Sequence, residues 1–387
     1  MALPIAYSFR SLGVRWKSTL LAMLGIGLVV AVFVGLLSMS SGFRLALRAS
    51  GSPGNAIVLE KGAQSELGSS FSKAAGDWVA DDSRIARSTD GAPLASPELV
   101  IVVALPKRRD GELTNIGLRG VTPAASNVRN GVALVEGRRV QPGLFEIMVG
   151  RQAQNRIRGL DVGSRIFMMK NEFKVVGVFS AEGSSFESEI WGDLDATASA
   201  FNRAGTESSL TVRLADPSVL PIFDRELQAN PQYRLQMTDE RQYYEDQAGP
   251  LIELLRGLAA FVAVVMGIGA VFAAMNTMYA IVANRTREVG TLRALGFSRV
   301  AVLTAFVLEG FILAVAGGGL GCLLSFSMNG LSTSTTASMG EITFAFRVTP
   351  ADLGYGLLFA AAMGVVGSLL PAFRAARLPI ISALRQG

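Results

Sequence analysis

The feature that most constrains this chain is a set of four long stretches almost empty of charge. The first lies between Lys17 and Arg44, centred on Leu20 to Met39, and the second follows Arg256 and ends before Arg285. The third runs from about Val300 to Ser327 with one charge, Glu309, and the fourth lies between Asp352 and Arg374. About 20 apolar residues in a helix cross the roughly 30 Å hydrocarbon core of a bilayer. Each stretch meets that length. The first exceeds the apolar core of about 7 to 15 residues of a cleaved signal peptide, so it reads as a retained anchor with Trp16 and Lys17 at the interface.

Arginine and lysine beside the spans give their orientation. Arg10, Arg15 and Lys17 precede the first; Arg285, Arg287, Arg293 and Arg299 join the second to the third; Arg374, Arg377 and Arg385 follow the fourth. Positive flanks favour the cytoplasmic side, which places both termini inside and residues from about 44 to 250 outside. The predicted order is an entry segment 1–17, spans 18–43, 251–284, 300–327 and 353–373, a cytoplasmic segment 285–299, a short outer loop 328–352 and a tail 374–387. The fold class is therefore a polytopic α-helical membrane protein with four transmembrane helices and one large extracytoplasmic domain between the first two.

That domain reads as α+β. Leu99 to Leu105, Phe145 to Val149, Arg165 to Met169 and Phe173 to Phe179 are β-rich runs separated by Gly, Pro and Asn turns. Gly62 to Asp90, rich in Ser, Gly and Ala, reads as a loosely packed excursion, and Pro217 to Asn230 has helical spacing. Thr238 to Gln247 is polar, helix-compatible and leads into the second span, as a stalk would.

Composition then removes whole classes of chemistry. The chain of 387 residues has no histidine, which excludes Ser-His-Asp and Cys-His catalysis and HExxH zinc sites. Ser184, Ser185, Glu182, Glu187 and Glu189 cluster without a histidine base, leaving a turn beside a strand or, chemically, a Ser-Lys dyad. A single cysteine, Cys322, forms no intramolecular disulfide. The formal charge of +5 forms no basic stripe with interleaved aromatics, so it speaks for topology and against nucleic acid. No catalytic, metal-binding or cofactor-binding residue is expected.

The segment after the second span carries the most information: Asn284-Arg285-Thr286-Arg287-Glu288-Val289-Gly290-Thr291-Leu292-Arg293-Ala294-Leu295-Gly296. It is short, charged and helix-capable, with Gly296 placed to end the helix. It resembles the R-T-R-E-[IV]-G-x-x-R-A-x-G signature of the MacB/LolC/FtsX-like ABC permeases. Glu136-Gly137-Arg138, Glu146 to Gly150, Asp161-Val162-Gly163, Phe173 to Phe179 and Ser188 to Trp191 are similar to the MacB-type periplasmic core. Phe9-Arg10, Arg15 to Leu20, Glu309-Gly310, Gly317 to Gly319 and Pro371 to Arg385 resemble the family's remaining spans and tail.

The resemblance implies a permease of the bacterial inner membrane whose segment 285–299 is a coupling helix docking on an ATPase. Its contact residues would be Arg285, Thr286, Arg287, Glu288, Val289, Gly290, Arg293 and Gly296. The chain lacks G-x-x-x-x-G-K-[ST], the loop whose amides cradle ATP phosphates, so ATP and Mg are expected on a partner ATPase subunit. A second permease chain, identical or different, and a membrane-fusion adaptor are the other implied partners. In the family, ATP-driven motion of the bundle moves the outer domains without passing substrate between the helices, which is mechanotransmission. No span here is rich in polar residues, and Glu309, the intramembrane exception, is expected to face a partner within the bundle. Export or extraction of a substrate is the leading expectation. The alternative is an FtsX-like signalling scaffold that activates a cell-wall hydrolase. Glycines at Gly25 and Gly27, Gly267 and Gly269, and Gly317 to Gly321 allow close helix approach, in a dimer or within one chain.

Overall fold

The structure, a computed structural model, describes residues 16–129, 131–337 and 340–379. The entry residues Phe9, Arg10 and Arg15 and the tail residue Arg385 lie outside the described residues. The elements in chain order are α1 (Trp16–Arg48), β1 (Asn55–Glu60), β2 (Phe71–Ser72), α2 (Lys73–Ala80), β3 (Ala95–Pro106), β4 (Leu113–Val121) and α3 (Ala125–Val128). There follow β5 (Ala133–Gly137), β6 (Glu146–Gly150), α4 (Arg151–Arg156), β7 (Arg165–Met168), β8 (Asn171–Ser180), β9 (Ile190–Asp193), α5 (Leu194–Ala200), β10 (Thr206–Glu207) and β11 (Ser209–Arg213). The chain continues through α6 (Leu220–Ala229), β12 (Leu235–Asp239), α7 (Glu240–Asn284), α8 (Thr286–Ala294), α9 (Arg299–Phe326), β13 (Ser332–Ala337), β14 (Gly340–Ala345) and α10 (Pro350–Ala376).

The chain divides into two compact units. A helical unit holds the residues up to Gly42, Leu251–Leu331 and Phe346 onward; a sheet unit holds Phe43–Pro250 and Ser332–Ala345. Four helices, α1, α7, α9 and α10, are long and apolar enough to cross a membrane. Their ends are written locally. Ser298 accepts the Ala301 N–H at 3.1 Å to start α9. Thr349 and Asp352 form a reciprocal capping box at the start of α10, with Pro350 in the first turn, where its missing N–H costs nothing.

Glycines set the spacing of these helices. A Cβ on Gly317 would lie 2.7 Å from the Met23 carbonyl oxygen, and one on Gly321 would lie 2.4 Å from that of Gly27. Gly364 meets Ala314 and Gly310 of α9 as closely. These glycines therefore serve packing within one chain, whereas Gly25, Gly269 and Gly319 face open space. Cys322 is buried in the same helical core as Val30, Val34, Ala360 and Met363.

The sheet unit is built on strands in the order β12-β1-β11-β3-β4-β9-β6-β8-β5, with β7 also on β8. The pairs β4/β9 and β6/β8 are parallel and the rest antiparallel. Alternating Val, Ile and Phe of β3, β4, β6, β8 and β9 build one core with Ala153 and Ile157; β1, β11 and β12 build a second with α2 and α6. The expected runs at 99–105, 145–149, 165–169 and 173–179 fall on β3, β6, β7 and β8, and the helical patch at 217–230 contains α6.

Two expectations need correction. Gly62 to Asp90 is no loose excursion, because Glu66, Phe71, Ala75 and Val79 are buried and α2 caps on Ser72. Residues 328–352, expected as a short connecting loop, contain the hairpin β13–β14, which belongs to the sheet unit. Glu341 on this hairpin is bonded to Arg156, Thr114 and Ser334, and Ser188 Oγ accepts the Thr343 N–H at 2.9 Å. Gly340, at φ +115°, lies against the backbone of Asn115 to Gly117, where a Cβ would crowd it at 3.1 Å.

Candidate coupling site

The segment singled out by its charge pattern is a helix of its own. Arg285 breaks the ladder between α7 and α8, with φ −116° and ψ 15° and no side-chain cap. At the other end Gly296, at φ +92°, closes a Schellman turn: its N–H donates to Arg293 O at 3.2 Å and that of Phe297 to Leu292 O at 3.1 Å. Few residues but glycine take that backbone without strain.

One face of α8 is fixed in the helical unit. Val289 and Gly290 are buried, and Val289 packs with Met278, Ile281, Val282, Val302, Phe306 and Ala372. Arg293 Nη1 donates to the Ala376 carbonyl at 3.4 Å, tying α8 to the end of α10. Arg287, Glu288, Thr291, Ala294 and Leu295 are exposed, Leu295 by 73%. Of the expected contact residues, Arg287 and Glu288 are thus presented outward. Val289, Gly290 and, more partly, Arg285, Thr286 and Arg293 hold the helix in place, and Gly296 ends it.

Glu309 is the second anchor. It is 3% exposed, one carboxylate on α9, and Arg285 Nη1 meets its Oε2 at 2.8 Å while Arg285 Nε meets Glu288 Oε2 at 2.9 Å. The Arg285 guanidinium also lies 5.4 Å from the Phe306 ring centroid. A buried carboxylate left alone would be costly, and this pair satisfies it while fixing where α8 begins. Sequence reading placed Glu309 facing a group in the bundle but missed that Arg285, 24 positions earlier, is that group.

The sheet unit carries its own ionic centre, which the sequence did not announce. Arg119 is fully buried and bonds Glu66 at 2.7 Å, Glu98 at 2.6 Å and Glu189 at 2.8 Å. Arg129 joins Glu98 to Glu240, the first residue of α7, at 2.8 Å each. Burial raises the Glu98 carboxyl, but Arg129 and Arg119 together outweigh it and hold it down to about 2. Glu240 Oε2 also accepts the Ser52 N–H at 2.9 Å and Asn55 Nδ2 at 3.0 Å. The start of α7 is thus locked to the sheet. The Ser/Glu cluster near 185 is absorbed in a tight turn before β9: Glu187 accepts the N–H groups of Ala181 and Gly183, and Ser185 Oγ lies 2.7 Å from Ser50 Oγ.

Two family models match the chain. Residues 19–230 match the MacB-like periplasmic core domain, and residues 260–380 match the FtsX-like permease C-terminal domain. A macrolide export ATP-binding/permease protein MacB of Bdellovibrio bacteriovorus is 26% identical over 97% of this chain and 60% of its own length. Another from Nitrobacter winogradskyi is 33% identical over 58% of this chain and 35% of its own. This chain therefore spans less than two thirds of the length of either relative. The periplasmic region of MacB from Actinobacillus actinomycetemcomitans aligns over 51% of this chain and 92% of its own, with a TM-score of 0.38 and 12% identity.

Proposed function

The chain belongs to the MacB-like family of ABC permeases, and from that premise we propose that it passes the motion of a separate ATPase to its sheet unit for export or extraction of a substrate. The observation that carries this reading is α8: a short helix braced on its inner side by Val289 and by the Arg285–Glu309 pair, with Arg287 and Glu288 turned outward. A helix so braced passes displacement to α7, α9 and α10 instead of yielding. Glu240 ties the other end of α7 into the sheet through Arg129, so the stalk is continuous with what it would move.

In this reading the chain sits in the bacterial inner membrane with residues 44–250 outside, and ATP and Mg bind on the partner. The assembly is two permease chains with two ATPases. Relatives named for macrolide export make small amphiphiles the first substrates to try, together with peptides and lipids. The test is to purify the tagged chain from native membranes, identify what accompanies it, and repeat with Arg287→Ala and Glu288→Ala combined. An ATPase subunit that the double variant loses or no longer stimulates supports the reading. If the intact chain neither brings down nor stimulates an ATPase, the reading fails. A co-purifying adaptor points to export; a co-purifying cell-wall hydrolase points to signalling.

A further inference from the structure

The sheet unit holds a cavity of about 90 Å³ that neither the coupling helix nor the ionic centre uses. It lies where β9, β6, β8 and β5 meet the segment after β4. Val121, Leu134, Val140, Met148, Phe179 and Trp191 supply most of its wall. Phe179 and Trp191 are in contact, their ring centroids 4.7 Å apart, so the aromatic side of the wall is fixed by packing.

Four polar side chains, Thr122, Ser126, Arg139 and Asp193, interrupt the apolar lining, and they differ. Asp193 is occupied, because it caps α5 by accepting the Ala196 N–H at 3.0 Å. Thr122 Oγ1 is buried with no hydrogen-bond partner among the described residues. Arg139 is exposed, donates to the Ser126 hydroxyl, and has no acidic partner among the described residues. The buried hydroxyl is a deficit that a bound molecule would fill, and the exposed guanidinium beside the same apolar cavity offers an anion a charge-assisted, bidentate contact.

We propose that this cavity binds a small organic carboxylate whose single ring or branched aliphatic group enters among Phe179, Trp191 and Met148 and whose carboxylate meets Arg139. The volume decides the size class. An enclosed apolar cavity of about 150 Å³ takes a benzene ring, so this smaller but open one takes one such group with part of it in the mouth. An extended peptide pairing with the neighbouring edge strand β5 fits less well. The β5 ladder is broken by a bulge between Leu134 and Glu136, and the cavity rim at Pro123 and Pro142 has no N–H to offer. The site is independent of the coupling reading, since none of its residues belongs to α8; it borders the Arg119 network only through Trp191, whose indole N–H donates to Glu189 Oε2 at 2.9 Å.

The test uses the full chain in lipid nanodiscs with 3-(4-fluorophenyl)propionate as probe, its uncharged amide as comparison, and fluorine NMR as readout. For a ligand this small the expected Kd lies between about 10 μM and 1 mM. Leu134→Trp, which plugs the cavity, should abolish binding, and Arg139→Ala should weaken the carboxylate by about tenfold while leaving the amide unchanged. If Leu134→Trp does not fold, judged by thermal unfolding, Val140→Phe, at another lining residue, plugs the cavity with the same expected loss. No binding at 5 mM probe, or binding that survives both plugs because the probe sits in the bilayer, overturns the proposal. So does equal binding of acid and amide, or preference for a peptide over the acid at the same cavity.

Discussion

At the scale of single residues, the sheet unit depends on charges that hydropathy would have placed outside. Replacing Arg119 by Met keeps its length but leaves Glu66, Glu98 and Glu189 buried around a neutral side chain. Breaking a buried ion pair by removing one partner costs about 3–5 kcal/mol, so Arg119→Met should unfold at markedly lower denaturant in an equilibrium melt. Retained stability would mean that water reaches those carboxylates. Glu207 presents the opposite case. It is 2% exposed, its Oε2 has no hydrogen-bond partner among the described residues and lies where a Cβ on Gly76 would come within 2.2 Å, and burial followed by Asp77 pushes its pKa up to about 8 against Lys73. Because the folded state holds this proton more tightly than the unfolded chain, its contribution is complete below about pH 4.5 and declines as pH rises to about 8. The loss is at most about 1.4 kcal/mol per unit. Glu207→Gln stays neutral, so the difference in melting temperature between it and the parent should widen from pH 5 to pH 8; a constant difference would show Glu207 already ionised. None of this was legible in sequence, since Arg119 and Glu207 look like ordinary strand charges until the topology surrounds them.

At the scale of elements, legibility followed the strength of the local signal. The spans were readable because apolar length is a property of contiguous residues, and α8 because its charges and Gly296 are contiguous too. The hairpin β13–β14 was missed although Ser332 to Ala337 and Ile342 to Phe344 carry β-branched and aromatic residues, because short strands are specified by what they pair with. The glycine-rich stretch of α9 was readable as close packing, but its neighbour was not. The structure makes that neighbour α1 at Gly317 and Gly321 and α10 at Gly318, so Gly321→Val should force α9 and α1 apart at Gly27 and Val30, where even a Cβ finds contacts at 2.4 and 2.9 Å. We expect a loss of about 2 kcal/mol or more, read as a lower midpoint in detergent melts, while Gly319→Val, facing open space, should melt like the parent. Equal melting of both variants would place the α1–α9 contact elsewhere.

At the scale of the whole molecule, the chain leaves the helical unit for the sheet unit twice: once between α1 and α7, and again for the hairpin between α9 and α10. With four crossings, the residues of α8 and those following α10 must share one side of the membrane, and both excursions must share the other. The positive flanks choose which. Arg285, Arg287, Arg293 and Arg299 stand around α8, and Arg374 and Arg377 at the end of α10, the latter two lying over the rings of Tyr279 and Phe373. The prediction is direct because Cys322 is the chain's one cysteine and can be removed by Cys322→Ser. In that background Ser70→Cys, exposed in the sheet unit, should react with a membrane-impermeant maleimide on intact spheroplasts. Ser298→Cys, exposed between α8 and α9, should react only after lysis. The reverse pattern would put α8 on the side without ATP and remove the coupling function, while reaction of both sites on intact cells would contradict a four-span bundle. Ser70 lies outside the spans, whereas Ser298 caps α9, so the Ser298→Cys chain should first match the Cys322→Ser parent in a detergent melt, which shows that losing the cap leaves the bundle intact.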